Sequence, residues 1–119
     1  MILYHTTKTK RAVESLLLSW RIQPGRNVYN GKHYVHVSTV FPNWISMDVF
    51  GDAQSTQAWV MKILVDDETA LLPDPSGEDH IYDGPGTWFI HEGALAFKPL
   101  EVTYFSNYRN SEQKGVRIR

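Results

Sequence analysis

Residues 1–20 read MILYHTTKTKRAVESLLLSW, and the apolar pattern changes once inside them. Met1 to His5 is a short run, apolar and then aromatic, of the kind that forms a strand. From Thr9 onward the apolar positions Ala12, Val13, Leu16, Leu17 and Trp20 recur at spacings of three and four, which predicts an amphipathic helix. Thr7 or Thr9 can cap it, because a threonine hydroxyl accepts from the free N–H groups of a first helical turn. A strand that stops on His5, Thr6 and Thr7 is either an ordinary lead into that cap or the end of a strand used for binding. The rest of the chain decides between the two.

Beyond Trp20, RIQPGRNVYNG is punctuated by Pro24-Gly25 and Asn30-Gly31 and reads as a loop. KHYVHVST is β-rich, with Tyr34, His36 and Ser38 on one face and Val35 and Val37 on the other. VFPNWISMDVFGD predicts a short second helix, bracketed by Pro42 and Gly51, with Trp44, Ile45, Val49 and Phe50 on its apolar side. QAWVMKILVD is the strongest strand and reads as buried. DETALLPDPSGEDHIYDGPGT is a long acidic loop with three prolines, a length that suits a lid or binding loop. WFIHEGALAF and EVTYFSNY predict two more strands, divided at Lys98-Pro99, and the polar tail allows one last short strand. Helix early and strands late predict an α+β fold in a single domain over residues 1–119.

Composition narrows the chemistry. Apolar residues make up 42% and aromatic ones 13%, enough material for one core, and disorder is not indicated. The absence of cysteine excludes disulfides, thiolate metal sites and a cysteine nucleophile, and fits a reducing compartment. No apolar run nears the roughly 18 residues that a membrane span needs, and the N-terminus lacks a signal-peptide shape, so a soluble cytoplasmic protein with no membrane partner is expected. Net charge is −1, but residues 1–50 hold six Lys/Arg against two acids, while residues 51–119 hold six against eleven. A basic N-terminal half suits an anionic ligand such as a pyrophosphate, although such asymmetry is also common in small proteins.

Five histidines raise a metal site, but His33 and His36 lie at an odd spacing on a strand and diverge, as do the neighbours His91 and Glu92. No His-Glu-x-x-His helix is present, so no metal is expected. Ser38 lacks the glycines of a nucleophile elbow. GDAQST lacks the lysine of a phosphate-binding loop, and DGPGT lacks its spacing. What remains are polar groups in strands that otherwise read as core: His5-Thr6-Thr7, Ser38-Thr39 and Glu92. A strand carboxylate is costly unless it meets solvent or a partner, so Glu92 belongs at a rim or a cleft.

Taken in order, LYHTT, AVESLLLSWRIQP, YVHVSTVFPNWI, WVMKILVD and WFIHEGALAFKPLEVTYF resemble the motifs of the NAD-dependent ADP-ribosyltransferase superfamily. The DNA-targeting (DarT-like) toxins and the RNA 2′-phosphotransferases are its similar branches. The likeness covers most of the chain, in short motifs. It departs where Thr6 stands in place of a glycine and where SWRIQ lacks a Gly-Leu helix end. It implies a small ADP-ribosyltransferase-like fold: an antiparallel or mixed split β-sheet, one main N-terminal helix and a short second helix.

The resemblance implies an ADP-ribosyltransferase that uses NAD as its substrate, releases nicotinamide and modifies a macromolecular acceptor, nucleic acid or protein, with a toxin and a neutralising antitoxin or inhibitor protein as one context. Glu92 is the expected catalytic residue. It would hold a ribose hydroxyl and stabilise an oxocarbenium-like charge, or deprotonate the acceptor, with Ser38 and Thr39 beside it. His5 would bond a ribose hydroxyl, and Thr6 would grip the carboxamide through its backbone, with Thr7 next to them. Tyr34, Trp44 and Phe50 are the candidates to stack on nicotinamide, and Arg21 or Arg26 could pair with the pyrophosphate. Two rival functions stand beside this one. His33, His36 and His91 could serve RNA processing by acid–base cleavage or 2′-phosphotransfer. A non-catalytic inhibitor or interaction module could use Trp44, Trp59, Trp88 and Tyr82 as exposed aromatics.

Overall fold

The computed structural model describes residues 1–25, 28–29, 31–41, 57–74, 87–106 and 115–118. In chain order the elements are β1 (Ile2–Thr7), α1 (Lys10–Ser19), β2 (Arg21–Ile22), β3 (Val28–Tyr29), β4 (Lys32–Ser38), β5 (Gln57–Leu64), β6 (Leu72–Pro73), β7 (Trp88–Glu92), β8 (Leu95–Ala96), β9 (Lys98–Ser106) and β10 (Gly115–Ile118). The main sheet runs β10-β9-β5-β1-β4-β7-β6, with β3 attached to β4, and β2 and β8 form a separate ribbon. Every pairing among the described residues is antiparallel. This is an α+β protein, mostly antiparallel sheet with one helix among the described residues. That helix is too short to cross a membrane. The expected second helix, with Trp44 and Phe50, lies outside the described residues, as does Arg26.

The alternation of side chains along each strand sorts the sheet into two faces. One carries Leu3, Val35, Val37, Trp59, Met61, Ile63 and Val102, which form the core with Val13 and Leu16 of α1 and with Ile22, Leu95 and Phe97 around the ribbon. The ribbon is held to the helix end by the Phe97 N–H, which donates to the Trp20 carbonyl at 3.0 Å. The other face carries Tyr4, Thr6, Tyr34, His36, Ser38, Trp88, Ile90 and Glu92, as their registers require. Thr9, and not Thr7, is the helix cap: its hydroxyl accepts from the Ala12 N–H at 3.2 Å. The helix ends on Trp20 at φ 53°, a left-handed position that a glycine usually fills, so the missing Gly-Leu is met by a strained tryptophan.

Two boundaries differ from the sequence expectation. The run WFIHEGALAF breaks at Gly93, whose φ of 74° ends β7 and starts the turn into β8. The division expected at Lys98-Pro99 falls at Phe97 instead, and Lys98-Pro99 opens β9. The register against β5 shifts between Lys62 and Ile63, opposite Pro99, and among the described residues β10 pairs with Val102 to Phe105. A bulge beyond the reach of β10 is where a strand tolerates a residue with no N–H to give. The acidic loop also contributes a strand: Leu72 pairs with Ile90, and Pro73 with Phe89, at the sheet edge.

Candidate active site in the split between two strands

β1 lies between β5 and β4 but treats them differently. It pairs with β5 along its whole length, from Ile2–Leu64 to Thr7–Trp59. Against β4 it keeps the single register pair Tyr4–Ser38. Past that pair the two strands diverge, so the sheet is split at the end of β1. His5 bridges the start of the split: its Nδ1–H donates to the His36 carbonyl at 2.9 Å. The loop after β2 closes over the opening. Its Gly25 N–H donates to the Tyr34 carbonyl at 3.4 Å, and the His33 Nδ1–H donates to the Gly25 carbonyl at 3.0 Å.

The opening holds a cavity of about 360 Å³, lined by His5 and Thr6 from β1, Tyr34 and His36 from β4, Gln23 and Trp88 among others. A second cavity of about 320 Å³ adjoins it toward the helix, sharing His5 and Gln23 and adding Thr7, Ser15 and Arg21. Volumes of this order suit one small-molecule moiety each. Thr6 and Thr7, one lining each cavity, carry buried hydroxyls that make no hydrogen bond among the described residues. Native interiors rarely leave such atoms unsatisfied, so each is a polar group that a ligand or an ordered water can serve after a small local shift.

The chemistry of His5 follows from its partner. A carbonyl only accepts, so Nδ1 carries the hydrogen, and in the neutral ring Nε2 is left as an acceptor. Desolvation by the surrounding protein is the largest influence on this ring and lowers its pKa below the ordinary value. The bond to His36 opposes that, and the charge of His36 adds to it. His5 is therefore neutral at pH 7, with a lone pair available to a ligand hydroxyl. A histidine whose folded pKa is lowered takes up its proton on unfolding. Its stabilising contribution is thus full above the unfolded value, about 6.5, and is lost as pH falls below it. The melting temperature of the wild type is expected to fall between pH 7 and pH 5 by more than that of His5→Gln. Parallel acid limbs in thermal melts would overturn the assignment.

The remaining candidates divide. His5, Thr6 and Tyr34 meet at the first cavity, and Thr7 and Arg21 line the second, with Arg21 exposed. Glu92 lines neither. It is the register partner of the cavity residue Tyr34, stands 58% exposed at the end of β7, and ion-pairs with Lys32 at 3.4 Å. Ser38 does not reach it, because the antiparallel register puts Ser38 opposite Trp88 and Glu92 opposite Tyr34. Four residues along a strand separate them by about 13 Å. The Ser38 hydroxyl donates to the Val40 carbonyl, and that of Thr39 to the Thr87 carbonyl at 3.2 Å, so both secure the end of β4. Trp59 and Trp88, expected as exposed aromatics, are 5% and 7% exposed and belong to the interior.

Gln23 and Asp74 are among the residues at the site that the sequence argument for it did not single out. Gln23 sits just before the loop signal Pro24-Gly25 and gives no sign of itself. Asp74 lies in the acidic loop, yet its side chain is only 2% exposed and its Oδ2 accepts from His36 Nδ1 at 3.1 Å. Comparisons with protein families, with curated proteins and with solved structures find no match for this chain.

Proposed function

We propose that this protein binds NAD⁺ in the opening between β1 and β4 and transfers ADP-ribose to a macromolecular acceptor, nucleic acid or protein, with release of nicotinamide. The observation that carries the reading is the split itself: a sheet that parts beside a neutral His5 and an unpartnered Thr6 hydroxyl. A nicotinamide riboside offers hydroxyls to His5 Nε2 and an amide to Thr6. Arg21, in the adjoining cavity, supplies a cation for a pyrophosphate. Glu92, opposite the cavity residue Tyr34, is the carboxylate available to steady positive charge as the C1′–nicotinamide bond breaks.

Calorimetry with NAD⁺ tests this. The wild type binds, and His5→Ala weakens binding by about tenfold or more, the worth of one buried hydrogen bond to the ligand. No binding at millimolar NAD⁺, or equal binding by the folded variant, overturns the reading. One observation favours a second function. His5 and His36 line one cavity, and two histidines suit acid–base cleavage of RNA. Cleavage of RNA without NAD⁺ is the result that would establish it.

A further inference from the structure

The reaction needs a group to take a proton from the acceptor, and the cleft offers one that is not Glu92. Thr6 and His36 lie two residues beyond the Tyr4–Ser38 pair on their strands, so both point to the same face of the split. His36 lines the cavity, yet its side chain stays 49% exposed. Behind it, β6 and β7 set the register Leu72–Ile90–His36, and Asp74 lies two residues past Leu72 on the same face. The Asp74 backbone is fixed by its N–H, which donates to the Trp88 carbonyl at 3.1 Å. Its carboxylate is nearly sealed from solvent, a costly placement unless it is partnered, and His36 Nδ1 is a partner at 3.1 Å.

That geometry has a chemical consequence. A carboxylate only accepts, so Nδ1 of the neutral ring carries the hydrogen and Nε2 holds the lone pair. A buried carboxylate that fixes the tautomer of a half-exposed histidine lining a cavity is the arrangement of an oriented general base.

We propose that His36, oriented by Asp74, is the general base of this site, a role that rests on the NAD⁺ reading above. The acceptor's O–H or N–H proton passes to Nε2 while the acceptor atom bonds to ribose C1′. The C1′–N bond breaks, and its electron pair leaves with the pyridine ring, so nicotinamide departs neutral. The proton on His36 is then given to water. Asp74 is a positioning residue in this scheme, and Glu92 keeps the separate task of stabilising charge.

The test measures NAD⁺ binding by calorimetry and nicotinamide release from NAD⁺, with water or an added acceptor, for wild type, His36→Gln and Asp74→Asn. His36→Gln is expected to bind NAD⁺ within about threefold of the wild type and to lose turnover by about a hundredfold or more. Asp74→Asn is expected to lose about tenfold or more, with a change in the long-range proton–nitrogen spectrum of His36, because an amide that both donates and accepts no longer fixes the Nδ1–H tautomer as an acceptor-only carboxylate does. A pair that only pins β6 to β4 would leave turnover intact in a folded His36→Gln, and that result overturns the proposal. Failure of the wild type to bind NAD⁺ overturns the nicotinamide reading and this role with it. Binding with undiminished turnover in His36→Gln overturns this role alone.

Discussion

Replacement of Trp59 by alanine is expected to lower the unfolding free energy by about 3–5 kcal/mol, the range for removing a large aromatic from a core. Trp59 is 5% exposed, sits in the central strand β5, and packs on Tyr104 with ring centroids 4.8 Å apart. It is also the register partner of Thr7, so the wall of the second cavity leans on it. Such a loss is a large share of the roughly 5–15 kcal/mol that typically holds a domain together. Chemical denaturation followed by fluorescence of the remaining tryptophans and by circular dichroism measures it. Leu18→Ala is the contrast, because Leu18 is 88% exposed on α1 and should change stability by no more than about 0.5 kcal/mol. A loss below 1 kcal/mol in Trp59→Ala would show that the packing around β5 is not what holds the sheet.

The fold was legible where one physical signal dominated. QAWVMKILVD is apolar on both faces, which only a central strand can bury, and β5 has neighbours on both sides. The helix was legible from spacing, although only Val13 and Leu16 are buried and Leu17 and Trp20 keep solvent contact. Boundaries were less legible because proline and glycine compete as punctuation. Pro99 reads as the breaker, but a bulge opposite it absorbs the missing N–H, while Gly93 adopts the positive φ at which β7 ends. The edge strand at Leu72–Pro73 was hidden, since two residues carry no period and its partner Ile90 is distant in sequence.

The site was legible in its first wall and opaque in its second. His5-Thr6-Thr7 stands out because polar residues end an apolar strand, and all three line the two cavities. The alternation of β4 also put Tyr34 and His36 on a common face correctly. Ser38 shares that face, but a common face is not a common place, and the β4–β7 register sets it about 13 Å from Glu92. Asp74 could not be found by spacing, because it meets His36 from 38 residues away and across β7. An acidic loop reads as solvated until one of its carboxylates is seen with 2% exposure.

Thr6→Val and Thr7→Val are expected to make the protein more stable and a worse binder. Valine matches the branched shape of threonine and suits a strand at least as well, so the exchange removes a hydroxyl and little else. An unpartnered buried hydroxyl costs about 1–3 kcal/mol, and both of these hydroxyls are buried without a hydrogen bond. Relief of that cost raises the unfolding free energy by about 1 kcal/mol or more per site. Thr6 lines the cavity between β1 and β4, and Thr7 the one beside α1. If each hydroxyl awaits a ligand group, each substitution should also weaken NAD⁺ binding by about tenfold, because the ligand then buries a polar group of its own against a methyl. Opposite signs in denaturation and calorimetry are the signature of polar atoms kept for a ligand. A hydroxyl that serves only the fold would give destabilised variants with unchanged binding, and that outcome would remove the strongest structural support for a site at the end of β1.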